Sequence, residues 1–483
     1  MCDEFKSALV KYLIDAKLYT GDDCVWDIVE KEIYGRCLIA KRDIQANEVI
    51  FYDKPLFCGP RVNNYNKIFC VVCYKILPKL TLCNAKCKFP LCDDCQDTEK
   101  HRVECELIRS WKIRNENKYS KHLFRALTVI RGLLLSNEDS KLMNMMACHE
   151  NSDIQNIEVE KILDEFEALT ADSEEVSRLK RISSILNTNA FELGLPHDSQ
   201  PEHGISLRGL FVLGACMNHN CIPNMYYTYN DKKIMTAKAS KLIRKGEQIF
   251  NTYSKALWGT QQRRVHLGYS KNFLCKCDRC LDRTEMGSYI SAIKCINPEC
   301  IGVMLPINSL VITSPWKCEK CNMKLNHIRV SKLTDLVARQ ILKRIETEPT
   351  YVINQYLKEK VSTFLPSTNQ FSIELKLQVI LKLKQDPNYV MNMEDYKDIE
   401  KYCYDVLEII DRLSLGENFL KGILYHEIVV AKTKLAELQG LTLDDETRNY
   451  MAELLEKSFN ILANSISEPK DLRQLMLFYK KAN

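Results

Sequence analysis

Twenty-two of the 483 residues are cysteines, and their number and clustering constrain this chain more than any other feature of the sequence. The N-terminal segment is acidic and has no basic region followed by an apolar stretch, so no signal peptide is expected. No apolar run reaches the ~18 residues that a membrane span needs. The chain is therefore expected in a reducing compartment, the cytosol or the nucleus, where disulfides are disfavoured and metal binding becomes the leading use of cysteine.

The cysteines fall into groups with the spacing of zinc ligands. The first group supplies eight ligands in four close pairs, which are Cys70 with Cys73, Cys83 with Cys87, Cys92 with Cys95, and His101 with Cys105. The later candidates are Cys221, Cys275, Cys277, Cys280, Cys295, Cys300, Cys318 and Cys321. Two thiolates two or three residues apart can bind one Zn²⁺ from a single tight turn, so these sixteen ligands predict four tetrahedral sites. Redox cysteines are the alternative for the first group, and a loop without metal is the alternative for the last four cysteines.

The formal net charge of +5 does not indicate a nucleic-acid partner. Three sites with four thiolates and one with three thiolates and a histidine would together contribute −7, which leaves the metal-loaded chain with a charge of −2. Direct binding to nucleic acid or to a membrane is therefore not expected.

Hydrophobic periodicity and composition predict an α+β multidomain protein whose last third is helical. Cys37–Ala40 and Val49–Tyr52 are predicted as strands joined by a turn at Asn47, and the acidic stretch Asn137–Glu175 as an exposed part of a helical insert. After residue 325 the helices resemble stacked TPR-like pairs, although no clean ~34-residue repeat is visible. The predicted segments are 1–67 (helix and strands), 68–106 (cysteine finger), 107–182 (helical insert), 183–255 (short strands), 256–325 (second cysteine-rich segment) and 326–483 (helical domain).

A second motif, Asn218–Asn224 (NHNCIPN), gains its meaning from the sequence around it. A lone histidine between asparagines is more often structural than catalytic, but here Lys245–Tyr253 and then Cys275-x-Cys277-x2-Cys280 follow. With the finger upstream, this order resembles the SET-and-MYND (SMYD) protein-lysine methyltransferase family over roughly residues 24–325. Gly35–Leu38 with Arg42–Ile44 is similar to the N-terminal SET hairpin of that family, and Cys280–Gly287 is most similar to its arthropod-specific branch.

The resemblance implies a SET β-fold split by a MYND double-zinc finger, followed by post-SET cysteines, a further zinc site and a helical tail. About four zinc ions per chain are expected, and the finger ligands would interleave. The implied ligand sets are Cys70, Cys73, Cys92 and Cys95; Cys83, Cys87, His101 and Cys105; Cys221, Cys275, Cys277 and Cys280; and a ribbon-like site of Cys295, Cys300, Cys318 and Cys321. Two departures from the family pattern, the extra residue in Cys83-x3-Cys87 and the shorter Cys92-x2-Cys95, each shift a loop by one residue.

The resemblance also implies methyl transfer from S-adenosyl-L-methionine (AdoMet) to a lysine of a histone or non-histone protein. Tyr253 matches the catalytic tyrosine of the family, and ordinary packing at a strand end is the alternative for this residue. The residues that match family cofactor contacts are Gly35, Arg36, Asn189, Asn218, His219, Tyr253 and Phe273. An amine attacks only when neutral, and a free lysine has a pKa of ~10.4, so such a site must desolvate the ammonium group and align it with the methyl group.

Two substitutions depart from the family near the expected cofactor loop. Asn47 replaces a turn glycine, which is mild because asparagine tolerates positive φ. Cys37 replaces a glycine of the loop itself, where a Cβ would crowd the cofactor. Cys37 therefore favours the alternative function, a catalytically weak or silent adaptor and transcriptional co-regulator whose finger binds proline-rich peptides. Methyl transfer to DNA or a small molecule is a more distant alternative because no Rossmann glycine-rich loop is present, and a monomer is expected.

Overall fold

The computed structural model describes residues 2–19, 21–61, 68–79, 81–114, 121–148, 153–195 and 204–480. Within these ranges it contains sixteen α-helices and fourteen β-strands. The helices are α1 (Cys2–Asp15), α2 (Glu99–Ser110), α3 (Lys121–Leu133), α4 (Asn137–Asn144), α5 (Asp153–Glu165), α6 (Glu174–Asn189), α7 (Thr260–Lys271), α8 (Asp278–Leu281), α9 (His327–Thr347), α10 (Thr350–Tyr356), α11 (Ser362–Phe364), α12 (Gln370–Lys382), α13 (Met393–Arg412), α14 (Phe419–Gln439), α15 (Asp445–Leu462) and α16 (Leu472–Lys480). The strands are β1 (Trp26–Lys31), β2 (Gly35–Ala40), β3 (Val49–Asp53), β4 (Cys58–Pro60), β5 (Phe191–Leu195), β6 (Ile205–Gly209), β7 (Asn218–His219), β8 (Met225–Tyr229), β9 (Met235–Ala239), β10 (Phe250–Asn251), β11 (Ile293–Lys294), β12 (Val303–Pro306), β13 (Trp316–Cys318) and β14 (Lys324–Leu325).

The chain forms two compact units, and each unit is built from several separate stretches of sequence. Unit one comprises Met1–Ile39, Phe51–Met217 and Tyr229–Thr236. Unit two comprises Ala40–Ile50, Asn218–Thr228 and Ala237–Asn483. The strands make five small sheets, in the orders β1-β2, β4-β6-β5, β3-β9-β8, β10-β7 and β11-β12-β13-β14.

Unit one begins with an amphipathic helix, α1, which buries Phe5, Leu9 and Leu13 from one face as the sequence pattern predicts. In its antiparallel sheet β6 lies between β4 and β5, with Arg208 opposite both Gly59 and Glu192. Helices α3, α5 and α6 pack against one another beside this sheet. The helix α6 runs through the predicted segment boundary at residue 182 without interruption.

The two strands predicted on either side of Asn47 are present as β2 and β3, but they do not pair with each other, because β2 pairs with β1 and β3 lies in a different sheet. The loop between β2 and β3 makes backbone hydrogen bonds with residues near β9. The Ile44 backbone N–H donates to the Ile243 carbonyl oxygen at 2.9 Å, in an isolated β-bridge. The Asn47 backbone N–H donates to the Ala239 carbonyl oxygen at 2.8 Å. Asn47 does adopt the positive φ expected for a residue in place of glycine, at 66°.

The described residues of Asn137–Glu175 form helices α4 and α5, in line with the prediction of a helical insert, but only part of their surface is exposed. This stretch buries Leu142 and Met143 from α4 and Val159 and Ile162 from α5, all at 2% exposure or less. Acidic composition describes only the solvent face of an amphipathic helix, and the apolar positions between the acids form part of the core.

Unit two contains a four-stranded antiparallel sheet, β11 to β14, followed by helices α9 to α16. Helices α13, α14, α15 and α16 pack in sequence order, as in an array of helical pairs. Helix α13 starts with a capping box in which the side chains of Asn392 and Asp395 each accept the other residue's backbone N–H. Helix α14 buries residues around most of its circumference, which identifies it as the central helix of this region.

Candidate functional site

The sixteen predicted metal ligands come together in four groups of four. In each group all ligand atoms lie within 4.8 Å of one another. Thiolates bound to one tetrahedral Zn²⁺ at ~2.3 Å would be about 3.8 Å apart, so each group can hold one zinc ion. The groups are Cys70, Cys73, Cys92, Cys95; Cys83, Cys87, His101, Cys105; Cys221, Cys275, Cys277, Cys280; and Cys295, Cys300, Cys318, Cys321.

The finger (residues 68–106) interleaves its two groups in the order implied by the family resemblance. Its Cys73 and Cys92 sulfur atoms are 3.7 Å apart, and its Cys83 and Cys105 sulfur atoms are 3.8 Å apart. The His101 Nε2 atom lies 3.1 Å from Cys83 Sγ, and burial lowers the pKa of His101, which favours the neutral imidazole that zinc binds. The two one-residue departures in spacing leave this grouping intact.

A buried ion pair that sequence reasoning missed supports the finger within unit one. Arg131 of α3 is 5% exposed, and its Nε atom donates to Glu104 Oε1 at 2.6 Å. The same guanidinium donates to Tyr74 Oη at 2.6 Å and to the Val71 carbonyl oxygen at 2.9 Å. Glu104 lies between the ligands His101 and Cys105 on α2, so Arg131 fixes both the helix and the first knuckle of the finger. In the sequence, only the position of Glu104 next to a metal ligand hinted at this ion pair, and that position does not indicate which basic residue pairs with it.

The third metal group joins Cys221 to three cysteines that come more than fifty residues later. Arg263 of α7 is fully buried, and its Nε atom donates to Cys221 Sγ at 3.2 Å. Its guanidinium also pairs with Glu285 at 2.6 Å, and Arg279 pairs with the same carboxylate at 3.0 Å. Although burial acts to raise it, the two arginines hold the pKa of Glu285 below its ordinary value. A Zn²⁺ with four thiolates carries −2, and the Arg263 N–H groups offset that charge.

The fourth group lies on the small antiparallel sheet of unit two. The Cys300 and Cys318 sulfur atoms are 3.7 Å apart, and the Gly302 amide donates to Cys300 Sγ at 3.3 Å. A Cβ at Gly302 would meet Cys318 Sγ at 2.8 Å, so only glycine fits beside the sulfur atoms. Backbone donors and a close glycine suit a metal site better than the alternative of a loop without metal.

The strands β7 and β10 bring the Asn-His motif of unit two against the segment that carries Tyr253. They pair in parallel, with Phe250 opposite Asn218 and Asn251 opposite His219. The Tyr253 backbone N–H donates to His219 Nδ1 at 2.9 Å. Burial lowers the pKa of His219 to about 4, so the ring is neutral at physiological pH. Because Nδ1 accepts a hydrogen bond, Nε2 carries the proton and points at Cys221 Sγ, 3.3 Å away.

An aromatic cluster surrounds His219. Its ring centroid lies 5.4 Å from that of Tyr253 and 5.6 Å from that of Phe273, so three predicted site residues are neighbours. Asn224, which sequence reasoning quoted but gave no role, holds β10 in place. Its Oδ1 atom accepts the Phe250 N–H at 2.8 Å, and its Nδ2 atom donates to the Gln248 carbonyl oxygen at 2.9 Å.

The remaining predicted cofactor residues belong to unit one. Gly35 has a φ of +61°, and Arg36 donates to the Met145 carbonyl oxygen at 2.6 Å while its guanidinium lies 4.0 Å from the centre of the Phe5 ring. Asn189 donates to the Ala147 carbonyl oxygen at 2.7 Å. Arg36 and Asn189 therefore bind the same short segment after α4.

Cys37, the expected source of crowding, sits inside β2 with its thiol fully buried. Its Sγ atom donates to the Gly35 carbonyl oxygen at 3.5 Å, and its φ is not positive. Cys37 thus occupies an ordinary strand position that needs no glycine.

The model of the SET domain family matches residues 35–254 of this chain. The SET domain-containing protein SmydA-8, isoform B, of Drosophila melanogaster is 31% identical over 408 residues, which cover 83% of this chain and 90% of that protein. The chain belongs to the SMYD family of SET-domain proteins.

Two more distant relatives carry names that state an activity. The histone-lysine N-methyltransferase ASHR1 of Arabidopsis thaliana is 24% identical over 95% of both chains. The N-lysine methyltransferase SMYD2 of Rattus norvegicus is 25% identical over 55% of this chain and 62% of that protein. Among solved structures, the SET domain of LSMT bound to lysine and AdoHcy matches 99% of this chain and 91% of its own at 12% identity, with a TM-score of 0.34. In the described part of the chain, no helix combines the length and apolar character needed to cross a membrane.

Proposed function

We propose that this chain is an AdoMet-dependent protein-lysine N-methyltransferase. The observation that carries the proposal is the bond from the Tyr253 N–H to His219 Nδ1, at 2.9 Å, beside the parallel pairing of β7 and β10. This arrangement fixes the tyrosine that matches the catalytic residue of the family against the Asn-His motif that matches its cofactor contacts. The membership in a family that includes lysine methyltransferases supports the same function.

In this mechanism AdoMet, when bound, supplies the methyl group of a sulfonium. Tyr253 orients the reacting groups through its hydroxyl, and Phe273 walls the channel and excludes water from the approaching lysine. His219 keeps the Tyr253 backbone in place, and the third metal group keeps His219 in place through Cys221. The target amine has to lose its proton before it attacks, and the apolar surroundings favour that loss.

We assign the cofactor-binding residues by family resemblance, as Gly35, Arg36, Asn189, Asn218, His219, Tyr253 and Phe273. The sixteen metal ligands are assigned to four structural zinc ions, and the finger is assigned as a MYND finger that takes proline-rich peptides. We further propose that the protein works as a monomer in the cytosol or nucleus on a protein substrate.

A cavity in unit two suggests what flanks the target lysine. It encloses about 570 Å³, and Thr252 and Ser254, the two neighbours of Tyr253, line it. Its other walls are mostly apolar and include Trp258, Leu377 and Phe419. We propose that this cavity holds an apolar side chain of the substrate near the methylated lysine.

The adaptor alternative loses its main support in this structure, because Cys37 occupies a normal strand position. Calorimetry with AdoMet and methylation of a protein array test the proposal together. Binding and label transfer that Tyr253→Phe reduces are the expected results. Absence of binding at millimolar AdoMet would leave only the adaptor.

A further inference from the structure

A lysine of the chain itself lies against the proposed catalytic tyrosine. Lys271 is the last residue of α7, and its Nζ atom is 5.6 Å from the centre of the Tyr253 ring. The helix ends in the left-handed residue Asn272, with φ 57°, whose N–H donates to the Leu267 carbonyl oxygen. Phe273, a neighbour of His219, follows directly.

The helix that carries Lys271 is held rigidly within unit two. Arg263 on the same helix bonds Cys221 Sγ and pairs with Glu285, and Arg264 donates to the Cys275 carbonyl oxygen at 3.0 Å. Helix α7 is thus held at the third metal group through Arg263 and Arg264. The segment before Tyr253 is held at the same group through His219. The lysine side chain has four rotatable bonds, so its amine can take up different positions around the tyrosine while its Cα stays fixed.

The surroundings of Lys271 prepare an amine for attack. The ring of His219 lies 5.4 Å from that of Tyr253 and 5.6 Å from that of Phe273, so the tyrosine that Lys271 faces belongs to an aromatic cluster. Burial lowers the pKa of Lys271 from its ordinary 10.5 to about 8, so a substantial fraction of the amine is unprotonated at mildly alkaline pH. A neutral amine beside the tyrosine is what methyl transfer to lysine requires.

We propose that Lys271 is a self-methylation site, at which the chain transfers a methyl group from AdoMet to its own Lys271 amine. The proposal rests on the proposed function and adds an internal substrate to it. A bond forms between Nζ and the methyl carbon as the carbon–sulfur bond breaks, and its electron pair returns to sulfur to give S-adenosyl-L-homocysteine. The proton of the resulting methylammonium is released to solvent at alkaline pH.

Two other lysines of unit two serve as controls. Lys255 is two residues from Tyr253 in sequence, but its Nζ atom lies 5.6 Å from the Trp258 ring instead. Lys276 is exposed and close to Lys271 in sequence. If proximity to Tyr253 selects the amine, Lys271 should be methylated and these two lysines should not.

The test incubates the purified full-length chain with AdoMet that carries a trideuterated methyl group, at about pH 8, and maps the label by peptide mass spectrometry. We expect label on Lys271 on the order of tenfold or more above Lys276, because the Lys271 amine is held near Tyr253 and this proximity raises its effective concentration at the site. The rate per molecule should not change when the protein is diluted, Tyr253→Phe should lower it, and Lys271→Arg should remove the labelled peptide. Lys276→Arg should leave labelling of Lys271 unchanged.

The outcomes separate this inference from the proposed function. If Lys271 stays unlabelled, or is labelled no more than Lys276, while AdoMet binds and array proteins are methylated, self-methylation is overturned and the methyltransferase assignment stands. Labelling that rises with protein concentration would show transfer between molecules and would likewise overturn the internal reaction. If the chain neither binds AdoMet nor methylates any protein, both proposals fall.

Discussion

The finger and the third metal group have similar ligands, yet they are built in opposite ways. All eight ligands of the finger come from the contiguous stretch between Cys70 and Cys105. The third group joins Cys221 to Cys275, 54 residues later in the chain. A metal bound by neighbouring ligands mainly stabilises its own module, whereas a metal that closes a long loop fixes segments that have no other reason to meet.

The two groups also differ in what touches them. The finger contacts Arg131 of α3 through its own Glu104, and this buried ion pair has a structural role. His219, two residues from Cys221, accepts the Tyr253 N–H and lies against the third group. Similar metal chemistry therefore has two uses in this chain. In the finger it stabilises a local module, and in the third metal group it positions the proposed catalytic tyrosine.

The largest difference between the two metal groups is expected when one ligand is removed from each of them. Cys221→Ser should lower the zinc content and reduce turnover about 100-fold, because His219 and Tyr253 lose their support. Cys73→Ser, the matched change in the finger, should also lower the zinc content but leave turnover of the folded protein near that of the wild type. Elemental analysis, with about four zinc ions expected in the wild type, and steady-state methylation assays check both variants. Equal losses of turnover would contradict the division of roles.

The buried arginines provide the second test. Arg131→Met leaves the buried Glu104 without its partner and should lower the free energy of unfolding by about 3–5 kcal/mol. Arg263→Met leaves Glu285 paired with Arg279 and removes one charged hydrogen-bonding partner, so it should cost about 1.5–3 kcal/mol. Only Arg263→Met should also weaken turnover, since Arg263 donates to Cys221. Arg244→Met removes an exposed pair with Asp43 and should change the free energy of unfolding little, because water screens the two charges. Denaturant unfolding measures all three, and a cost at Arg244 as large as at Arg263 would be inconsistent with this account.

The third prediction concerns the site that the third metal group supports. Tyr253→Phe should lower kcat about tenfold, roughly 1.4 kcal/mol, with AdoMet affinity nearly unchanged, because the hydroxyl acts mainly in the transition state. Asn218→Ala should instead weaken AdoMet binding, since it removes a ground-state contact. Calorimetry and single-turnover kinetics separate the two effects. Wild-type turnover in Tyr253→Phe would refute the catalytic assignment.

The smallest effect is expected at Cys37, which is remote from both metal groups in sequence. Cys37→Gly removes buried packing and adds freedom to the unfolded chain, so it should lower stability by about 1 kcal/mol. AdoMet affinity should not change, because the thiol is buried within β2. Thermal melts and calorimetry on the two proteins test this. Tighter AdoMet binding in the variant would restore the idea that Cys37 crowds the cofactor.

The sequence alone determined the features that depend on local spacing. Close pairs of cysteines define which turns present ligands, so the sixteen candidates could be read from the sequence, and the family resemblance grouped them as the structure does. The amphipathic pattern of α1 and the helical last third follow from the period of the apolar residues. The positive φ of Asn47 could also be expected from the sequence, because asparagine adopts this conformation more readily than most residues.

Tertiary structure decided which distant groups meet. The sequence did not indicate that Arg131 would pair with Glu104, that Arg263 would reach Cys221, or that Lys271 would lie against Tyr253. The pairing of β2 with β1 and the burial of Val159 were equally hidden, because the same strand or helix pattern allows several partners. The physical reason is that local patterns fix the face that an element buries, whereas the neighbour that covers this face depends on the packing of the whole chain.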